Sequence, residues 1–412
     1  MDTWMKSLIS AMMVLALTIL GRAADPRVAT VKTAPPLPRY VVVNEDLALP
    51  FQNEIAFYVA AGTQLTAQST SGTGGYGIQG GFFGTSRLAS IPSISAPCLY
   101  VSNAASNDIA SFSWQSQQLT GNFSGSQSDD GSANGIGLAV NSNYLYASFT
   151  SSQTIATFAL QDGCGLTFLG DVSAVGLQGG SVTGMAVNSN ILVVAYGDGS
   201  IQSFNAAGGM PVSNNDLQNS TAFVTNNLSG ARTNFPSGVD ITQDGHFAIF
   251  GDISPFATVE VSDLTAGKLA KTVVHQYGGI TGVDAGAVRL SPDQRLLYAT
   301  NSESGKVTAF LFNPSTGVVR NGCVSPTLRG FDGRPWYGSV VARDATGTGN
   351  VLYVAEFGRD HLEIDHGVSS AIGILTVSFN GRSCTLTESS NSPVLLSFPG
   401  TLSLGVYPPR PF

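Results

Sequence analysis

Short apolar runs separated by turn residues fill most of the chain, and one arrangement of them repeats. The copy from Ala285 reads "AGAVRLSPDQRLLYATNSESGKVTAFLFNPSTG": an apolar strand, a turn at Ser-Pro-Asp, a Tyr-containing strand and a third strand. Related copies begin at Ser86, Gly135, Thr183, Ser237 and Tyr337. Short apolar segments of this length, bounded by turn residues, are typical of β-strands. The pattern therefore predicts an all-β protein made from one repeated unit.

The pitch of the repeat indicates which all-β architecture is formed. A glycine occurs in the innermost strand of six copies, at Gly137, Gly184, Gly238, Gly286, Gly338 and Gly405. The intervals between them are 47, 54, 48, 52 and 67 residues, close to the pitch of a four-stranded propeller blade. With the innermost strand near Leu88, which belongs to the first copy, the count of blades is seven.

The two ends of the chain complete each other. The last innermost strand, "TLSLGVYPPRPF", has no outer strands after it, whereas "YVVVNEDLALPFQNEIAFYVAAGTQLTAQ" from Tyr40 aligns with the outer strands "LYVSNAASNDIASFSWQSQQLTGN" from Leu99. Such a closure leaves no exposed sheet edge, and neither a β-solenoid nor a row of sandwiches accounts for it. We predict a seven-bladed β-propeller domain over 40–412, its ring closed by N-terminal strands plus the C-terminal innermost strand.

The segment "LSPDQRLLYATNSESGKVTAFLFNPSTG" resembles the YVTN repeat of the lactonase-like β-propellers, which include 6-phosphogluconolactonase and carboxymuconate cyclase. The likeness extends over nearly the whole chain, as a recurring pattern of residues in the repeats. It implies the propeller fold and, for catalytic members, an Arg-His pair before the innermost-strand proline and an Asn-Glu pair ending the next strand. In the fifth blade these positions hold Gly286, Ala287, Asn301 and Ser302. The resemblance thus implies the fold more strongly than lactone hydrolysis.

The first residues predict export. Lys6 precedes an apolar run from Leu8 to Leu20, too short to span a bilayer, and the small residues of "GRAAD" follow. We predict a signal peptide over 1–24, a linker over 25–39, and a secreted or periplasmic (extracytoplasmic) protein. The net charge of −8 and the pI near 4.9 argue against nucleic acid as a partner. The partners expected are a small molecule, a sugar-like ligand or a protein.

Four cysteines in an exported chain favour two disulfides. The blade register places Cys98 and Cys164 on one rim, between strands of the first and second blades. Cys323 and Cys384 follow equivalent turns of the fifth and sixth blades. The register therefore predicts the pairs Cys98 with Cys164 and Cys323 with Cys384, each joining neighbouring blades.

One insertion concentrates charge in a chain with few charged residues. Between the second and third strands of the sixth blade lies "FGRDHLEIDHGVSS", which accounts for the interval of 67. If the segment is extended, His361, Glu363 and Asp365 share one side and suit a divalent cation, the one cofactor considered, with His366 completing the shell. His361 as a catalytic group, Arg359 and Asp360 as ligand contacts, and a merely hydrated hairpin remain alternatives.

The residues that end the second strand of each blade lie on the same rim as this insertion. In blade order they are Asn103, Phe149, Tyr196, Asp252, Asn301, Glu356 and Asn44. Glu356 and Glu45 stand in neighbouring blades, and two close carboxylates would supply an acid and a base. Structural roles explain such residues equally well. The connection "RGFDGRPWYG" adds Arg329, Arg334, Trp336 and Tyr337, which suit an anionic or sugar-like ligand or inter-blade packing.

Two functions fit these patterns. The first is a binding scaffold that holds a ligand or partner on its loop-rich rim. The alternative is a lactonase-type hydrolase of a small lactone or sugar-derived ester, with Glu356, Glu45 or His361 as acid and base and Arg334 holding an anionic group.

Overall fold

A computed structural model describes most of the chain after residue 38. The described ranges are 39–47, 50–77, 88–91, 97–124, 136–221, 235–253, 256–264, 267–270, 272–281, 287–301, 305–329, 341–343, 350–356, 370–396 and 403–407. The predicted signal peptide and nearly all of the predicted linker lie outside these ranges. No helix within them is long and apolar enough to cross a membrane.

The described strands form seven antiparallel sheets, one for each predicted blade. Blade seven contains β1 (Arg39–Asn44), β2 (Glu54–Ala61), β3 (Gln64–Gly72) and, from the other end of the chain, β30 (Ser403–Tyr407). Blade one contains β4 (Leu88–Ile91), β5 (Cys98–Asn103), β6 (Asp108–Ser113) and β7 (Gln118–Phe123). Blade two contains β8 (Ile136–Val140), β9 (Tyr144–Phe149), β10 (Thr154–Leu160) and β11 (Leu166–Ser173), with a 3₁₀ turn at Asp162–Cys164.

The remaining four blades follow in chain order. Blade three contains β12 (Val182–Val187), β13 (Ile191–Tyr196), β14 (Ser200–Asn205), β15 (Val212–Ser213) and β16 (Gln218–Asn219). Blade four contains β17 (Phe235–Ile241), β18 (Phe247–Ile253), β19 (Phe256–Asp263) and β20 (Thr272–Thr281). Blade five contains β21 (Val288–Leu290), β22 (Leu296–Asn301), β23 (Lys306–Asn313) and β24 (Val318–Val324). Blade six contains β25 (Val341–Arg343), β26 (Val351–Glu356), β27 (Ala371–Phe379), β28 (Cys384–Glu388) and β29 (Val394–Leu395).

The ring closes as the sequence predicts. In blade seven the strand order is β3-β2-β1-β30, so the C-terminal strand is innermost. Val42 lies opposite Phe57 on one side and Gly405 on the other. The closing sheet is therefore hydrogen-bonded from both ends of the chain, and the seven-bladed propeller prediction is confirmed.

The core consists of apolar layers between neighbouring blades. A tyrosine occupies the third position of β5, β9, β22 and β26, and each of these rings is almost fully buried, as Tyr100, Tyr146, Tyr298 and Tyr353. The Tyr353 hydroxyl donates to the Gly62 carbonyl at 2.8 Å and that of Tyr146 to the Gly209 carbonyl at 3.0 Å. A buried tyrosine needs such a partner. These contacts explain the Tyr-rich second strand of the repeat.

Both predicted disulfides are present. Cys98 is joined to Cys164 with their Cα atoms 5.4 Å apart, and Cys323 to Cys384 with a Cα separation of 5.6 Å. The first bridge links blades one and two, and the second links the outer strands β24 and β28 of blades five and six. Their pairing confirms the blade register derived from the repeat.

Candidate functional site at the ends of the second strands

The second strands end where the sequence predicts. Strands β1, β5, β9, β13, β22 and β26 end at Asn44, Asn103, Phe149, Tyr196, Asn301 and Glu356, while β18 continues one residue beyond Asp252. All seven of these side chains are buried. Because they end equivalent strands, they collect on one rim, here called the B-to-C rim since the loops from the second to the third strand lie there.

Glu356 faces the layer between blades five and six. In an extended strand it shares its side with Leu352 and Val354, which pack against blade-five residues such as Leu296. Its carboxyl occupies space left by a missing side chain, because a Cβ on Gly373 of β27 would stand 2.1 Å from Oε1. Glycine at this position of the third strand therefore makes room for the acid.

The Glu356 carboxyl is buried without a hydrogen-bond partner among the residues that the structure describes. The side chain is 6% exposed, and both Oε1 and Oε2 lack a partner there. Burial, with a smaller contribution from the charge of Glu388 and against the opposing charge of Arg329, raises the pKa of Glu356 to about 8. Because a carboxyl with this pKa holds its proton at pH 7, Glu356 offers both a donor and an acceptor to a ligand.

The neighbouring carboxylate, Glu388, is held by donors from three groups. The Arg329 backbone N–H lies 3.2 Å from each Glu388 oxygen, the Arg329 Nε lies 3.4 Å from Oε1, and the Ser392 hydroxyl donates to Oε1 at 2.7 Å. The Arg329 guanidinium also donates to the Ser389 carbonyl. Two acids of the same junction thus differ, since the Glu388 oxygens face several donors and those of Glu356 have none among the described residues.

Glu45 directly follows β1 and is also buried, at 3% exposure. Its Oε2 has no hydrogen-bond partner within the described part of the chain. Burial raises the pKa of Glu45 to about 7, with a smaller contribution from the charge of Glu54. This carboxyl is therefore half-ionised near neutral pH, which is the condition that suits a general base.

The two acids face different layers of the ring. Glu45 is close enough to Tyr58 for its charge to raise the pKa of the Tyr58 hydroxyl, and Tyr58 packs in the layer between blades six and seven. Glu356 faces the other side of blade six. Each pKa is raised chiefly by burial of that side chain, so the mutual repulsion expected from the sequence is not the main cause.

Other strand ends belong to a closed hydrogen-bond network at the junction of blades seven and one. The Asn103 Oδ1 accepts from the Asn53 amide at 2.9 Å and from the Thr73 hydroxyl at 2.7 Å. The Asn103 Nδ2 donates to the Asp108 carboxylate at 2.6 Å. Asn44 accepts a bond of 3.1 Å from the Asp46 backbone N–H. Here the polar strand ends have a structural role.

Sequence reasoning missed two residues that shape the environment of Glu356, Gly373 and Glu388, whereas it named Arg329 as a possible contact for an anionic or sugar-like ligand. A signal existed for one of them, because an isolated glycine within a strand, as in "AIGILTV", often marks a close approach. Glu388 had no comparable signal, since its bonds to Arg329 connect an outer strand with a blade-to-blade connection.

Nine predicted contact residues lie outside the described ranges, in 330–340 and 357–369. They are Arg334, Trp336, Tyr337, Arg359, Asp360, His361, Glu363, Asp365 and His366. Within the described ranges no group of three His, Cys, Asp or Glu side chains could hold a metal ion.

Comparison with known proteins identifies the architecture. No family model matches the chain, and no curated protein does. Among solved structures, the periplasmic gluconolactonase of Pseudomonas aeruginosa has a TM-score of 0.63 at 15% identity, over 89% of this chain and 99% of its own. The chain has the fold of the lactonase-like propellers. A proposed 6-phosphogluconolactonase of Bacteroides fragilis scores 0.60 at 14% identity, covering 90% and 99%. At such identities the likeness shows the fold alone.

Proposed function

We propose that this protein is an exported propeller that binds a small hydroxyl-rich or lactone-like ligand on the B-to-C rim. The observation that carries the proposal is Glu356, a carboxyl 6% exposed, with both oxygens unpartnered among the described residues and a pKa raised to about 8. A buried polar group without a partner is costly. Retaining one at a strand end on the loop-rich rim is explained if a ligand supplies the missing partner.

Export is supported by two kinds of observation. The N-terminal segment has the pattern of a signal peptide, and the two disulfides suit an oxidising compartment. The name of the Pseudomonas aeruginosa neighbour places that protein in the periplasm. We propose a secreted or periplasmic location.

The second candidate function is hydrolysis of a small lactone or sugar-derived ester, and Glu45 favours it. Its pKa of about 7 suits a general base at neutral pH. Asn44 and Glu45 also supply, at the end of β1, the Asn-Glu pair that the lactonase-like resemblance implies. Aligned through the pairing of Asn44 with Ser403, the Arg-His half of that pattern would fall at Ser403 and Leu404 of the partner strand β30, which are neither arginine nor histidine. Binding without turnover therefore remains the primary proposal.

The charged insertion after Glu356 enters the proposal as a second set of ligand contacts. Elemental analysis of the purified wild-type protein and of His361→Ala tests whether the insertion binds a metal. A stoichiometric divalent cation that is lost in the variant would assign His361, Glu363 and Asp365 as ligands and strengthen the hydrolase candidate. A metal-free wild-type protein would remove the metal from the proposal.

The experiment that tests the function uses glucono-δ-lactone, its hydrolysis product gluconate, and the mature protein. Calorimetry with gluconate measures binding, and a pH-stat with the lactone measures turnover above the spontaneous rate. We expect saturable binding that weakens as pH rises through about 8 in the wild type and loses this pH dependence in Glu356→Gln. Asp162→Asn is the control, because Asp162 is an exposed carboxylate on the opposite rim.

The outcomes separate the two candidates. Binding of gluconate without catalysed turnover of the lactone supports the scaffold. Turnover that Glu45→Gln abolishes supports the hydrolase. Neither binding nor turnover, or binding that is equally pH-dependent in wild type and Glu356→Gln, contradicts the assignment of this rim to such ligands.

A further inference from the structure

A cleft of about 850 Å³ lies between blades five and six on the rim opposite the B-to-C rim. Its walls include Arg295, Arg320 and Arg382 together with Phe312 and Phe379, and these five residues define what is here called the arginine cleft. Its volume is within the range of ordinary small-molecule sites. Because Glu356 ends a strand on the other rim, the cleft is separate from the site proposed above.

Three elements from two blades bring the arginines together. Arg295 ends the turn before β22, Arg320 lies on β24, and Arg382 lies in the turn between β27 and β28. Turns between first and second strands and between third and fourth strands share a rim, which places all three on the same side of the ring. The cleft therefore exists only in the assembled propeller.

The positive charge of the arginine cleft is not neutralised by the residues that the structure describes. None of the three guanidiniums has an ion pair or an acidic hydrogen-bond partner among them. The nearby Asp293 is engaged in its own turn, where it accepts from the Ser291 hydroxyl at 2.6 Å and from the Arg295 backbone N–H at 3.1 Å. In a chain with net charge −8 and only 19 Lys and Arg, three guanidiniums without an acidic partner concentrate positive charge around one cleft. An anion would balance that charge.

The local structure holds the arginines in position. The Arg295 guanidinium lies 5.1 Å from the centre of the Phe379 ring, a cation–π contact that limits its rotamers. Gly381 leaves space for it, since a Cβ there would stand 3.0 Å from the Arg295 Nη2. Asn380 Oδ1 accepts the backbone N–H groups of Arg382 at 3.0 Å and Ser383 at 2.9 Å. The turn that carries Arg382 is thereby fixed.

A covalent link ties the two walls together. The disulfide between Cys323 and Cys384 lies three residues beyond Arg320 and two beyond Arg382. Holding the two outer strands in one register reduces the ordering that a ligand would otherwise impose, and such preorganisation strengthens binding. The floor between them is apolar, with Leu311 and Phe312.

We propose that the arginine cleft binds a small polyanion carrying two or more carboxylate or phosphate groups. Guanidinium groups recognise both through paired hydrogen bonds, and three of them match a ligand with more than one negative charge. Phe379 and Phe312 would pack against the carbon skeleton of that ligand.

The test is calorimetric titration of the mature protein at low ionic strength with citrate, with pyrophosphate and with neutral glucose. We expect one-to-one binding of at least one polyanion and none of glucose, and the two anions distinguish carboxylate from phosphate recognition. Arg320→Gln and Arg382→Gln should each weaken binding about ten-fold or more. Arg320→Lys, which keeps the charge without the planar fork, should lie between Arg320→Gln and the wild type.

Lys268→Gln is the matched control, because Lys268 is an exposed cation in the turn between β19 and β20 of blade four, on the same rim but outside the cleft. We expect it to change affinity by less than about two-fold. The proposal is overturned if neither polyanion binds at millimolar concentration, or if Lys268→Gln weakens binding as much as Arg320→Gln, which would indicate only the general field of the rim. Gluconate binding that Arg320→Gln leaves unchanged would show that the cleft and the B-to-C rim are independent.

Discussion

Two junctions of the ring bury polar side chains at equivalent strand ends, but the two junctions differ in how far they satisfy the hydrogen bonding of those side chains. Between blades seven and one, Asn103 is 0% exposed and bonded to Asn53, Thr73 and Asp108. Between blades five and six, Glu356 is 6% exposed, and neither of its oxygens has a partner among the described residues. Burial of a polar strand end therefore does not by itself indicate a function, and the incomplete hydrogen bonding of a buried carboxyl is the feature that calls for an explanation.

The chemistry of the two side chains explains the difference. The amide of Asn103 carries both donors and an acceptor, so it closes a network using groups of its own junction. Glu356 lies against Gly373, near Leu328, and the local donors from Arg329 and Ser392 are directed at Glu388. The junction of blades seven and one therefore has a structural role. The junction of blades five and six leaves the Glu356 carboxyl able to form hydrogen bonds with another molecule.

The largest expected effect is on the pH dependence of stability at the junction of blades five and six. The folded-state pKa of Glu356, about 8, lies above its ordinary value of 4.5. Between these two pH values the folded state holds a proton that the unfolded state has lost, so the free energy of unfolding falls as pH rises through this window. The difference reaches at most roughly 5 kcal/mol above pH 8. Glu356→Gln should match the wild type near pH 4 and become more stable than it at pH 9.

Denaturant unfolding of both proteins from pH 4 to 9 measures this difference. Titrating groups that do not interact with Glu356, such as Glu45, contribute equally to both curves and cancel. Parallel curves at all pH values would mean that Glu356 is ionised in the folded protein, in conflict with the contrast between the junctions.

The next largest effect concerns the disulfide that joins blades five and six. Replacing Cys323 and Cys384 by Ala opens a loop of 61 residues, for which chain entropy predicts a loss of roughly 4 kcal/mol. The matched control is the double Ala replacement of Cys98 and Cys164, with a similar separation of 66. Only the first replacement should also weaken polyanion binding in the arginine cleft. Equal polyanion affinity in both variants would argue against the bridge as a support of that cleft.

A smaller loss of stability is expected at the junction of blades seven and one. Asn103→Ala leaves the Asn53, Thr73 and Asp108 groups short of a partner, which should cost roughly 3 kcal/mol. Asn44→Ala is the control, since among the described residues Asn44 accepts one bond from a backbone N–H and donates a long one of 3.4 Å to the Ser102 carbonyl. Thermal unfolding at pH 7 ranks the two variants. A loss as small for Asn103→Ala as for Asn44→Ala would remove the structural role assigned to the network.

The smallest predicted effect is on the acid–base behaviour of Glu45. Removing the neighbouring charge with Glu54→Gln should lower the pKa of Glu45, because the charge of Glu54 raises it, while leaving most of the shift in place since burial is the larger cause. If the lactone is turned over, the acidic limb of its pH–rate profile reports this pKa and should move to lower pH. If the acidic limb of the profile stays at the same pH in Glu54→Gln, then either Glu45 is not the base or Glu54 is not its neighbour.

Much of the fold was predictable from sequence because it follows from a period. The glycine spacing and the matching chain ends predicted seven blades and their closure, and the same register predicted both disulfides. The strand-end residues followed too, since second strands align along the chain. The repeat period alone does not determine which side chains of neighbouring blades come into contact. Glu356 and Glu45 face different layers, and the donors near Glu356 prefer Glu388.

The arginine cleft is a second feature that the repeat period does not predict. Arg295, Arg320 and Arg382 are far apart in the chain, and each is an unremarkable exposed residue of its own turn or strand. Only the packing of blade five against blade six makes them neighbours. No local pattern in the sequence predicts that these three arginines lie together. Gly373, in contrast, is an isolated glycine within a strand, and this pattern did indicate a close approach in β27.

The infrared pH titration of the wild-type protein minus that of Glu356→Gln reports directly whether this carboxyl is protonated. We expect a band from one protonated carboxyl group that is present at pH 6, absent in the variant, and lost from the wild type with a midpoint of about 8. A carboxyl already ionised at pH 6, with a midpoint near its ordinary value of 4.5, would contradict this expectation. The buried acid would then be an ordinary anion with a partner of its own, and the B-to-C rim would lose the group on which its proposed function rests.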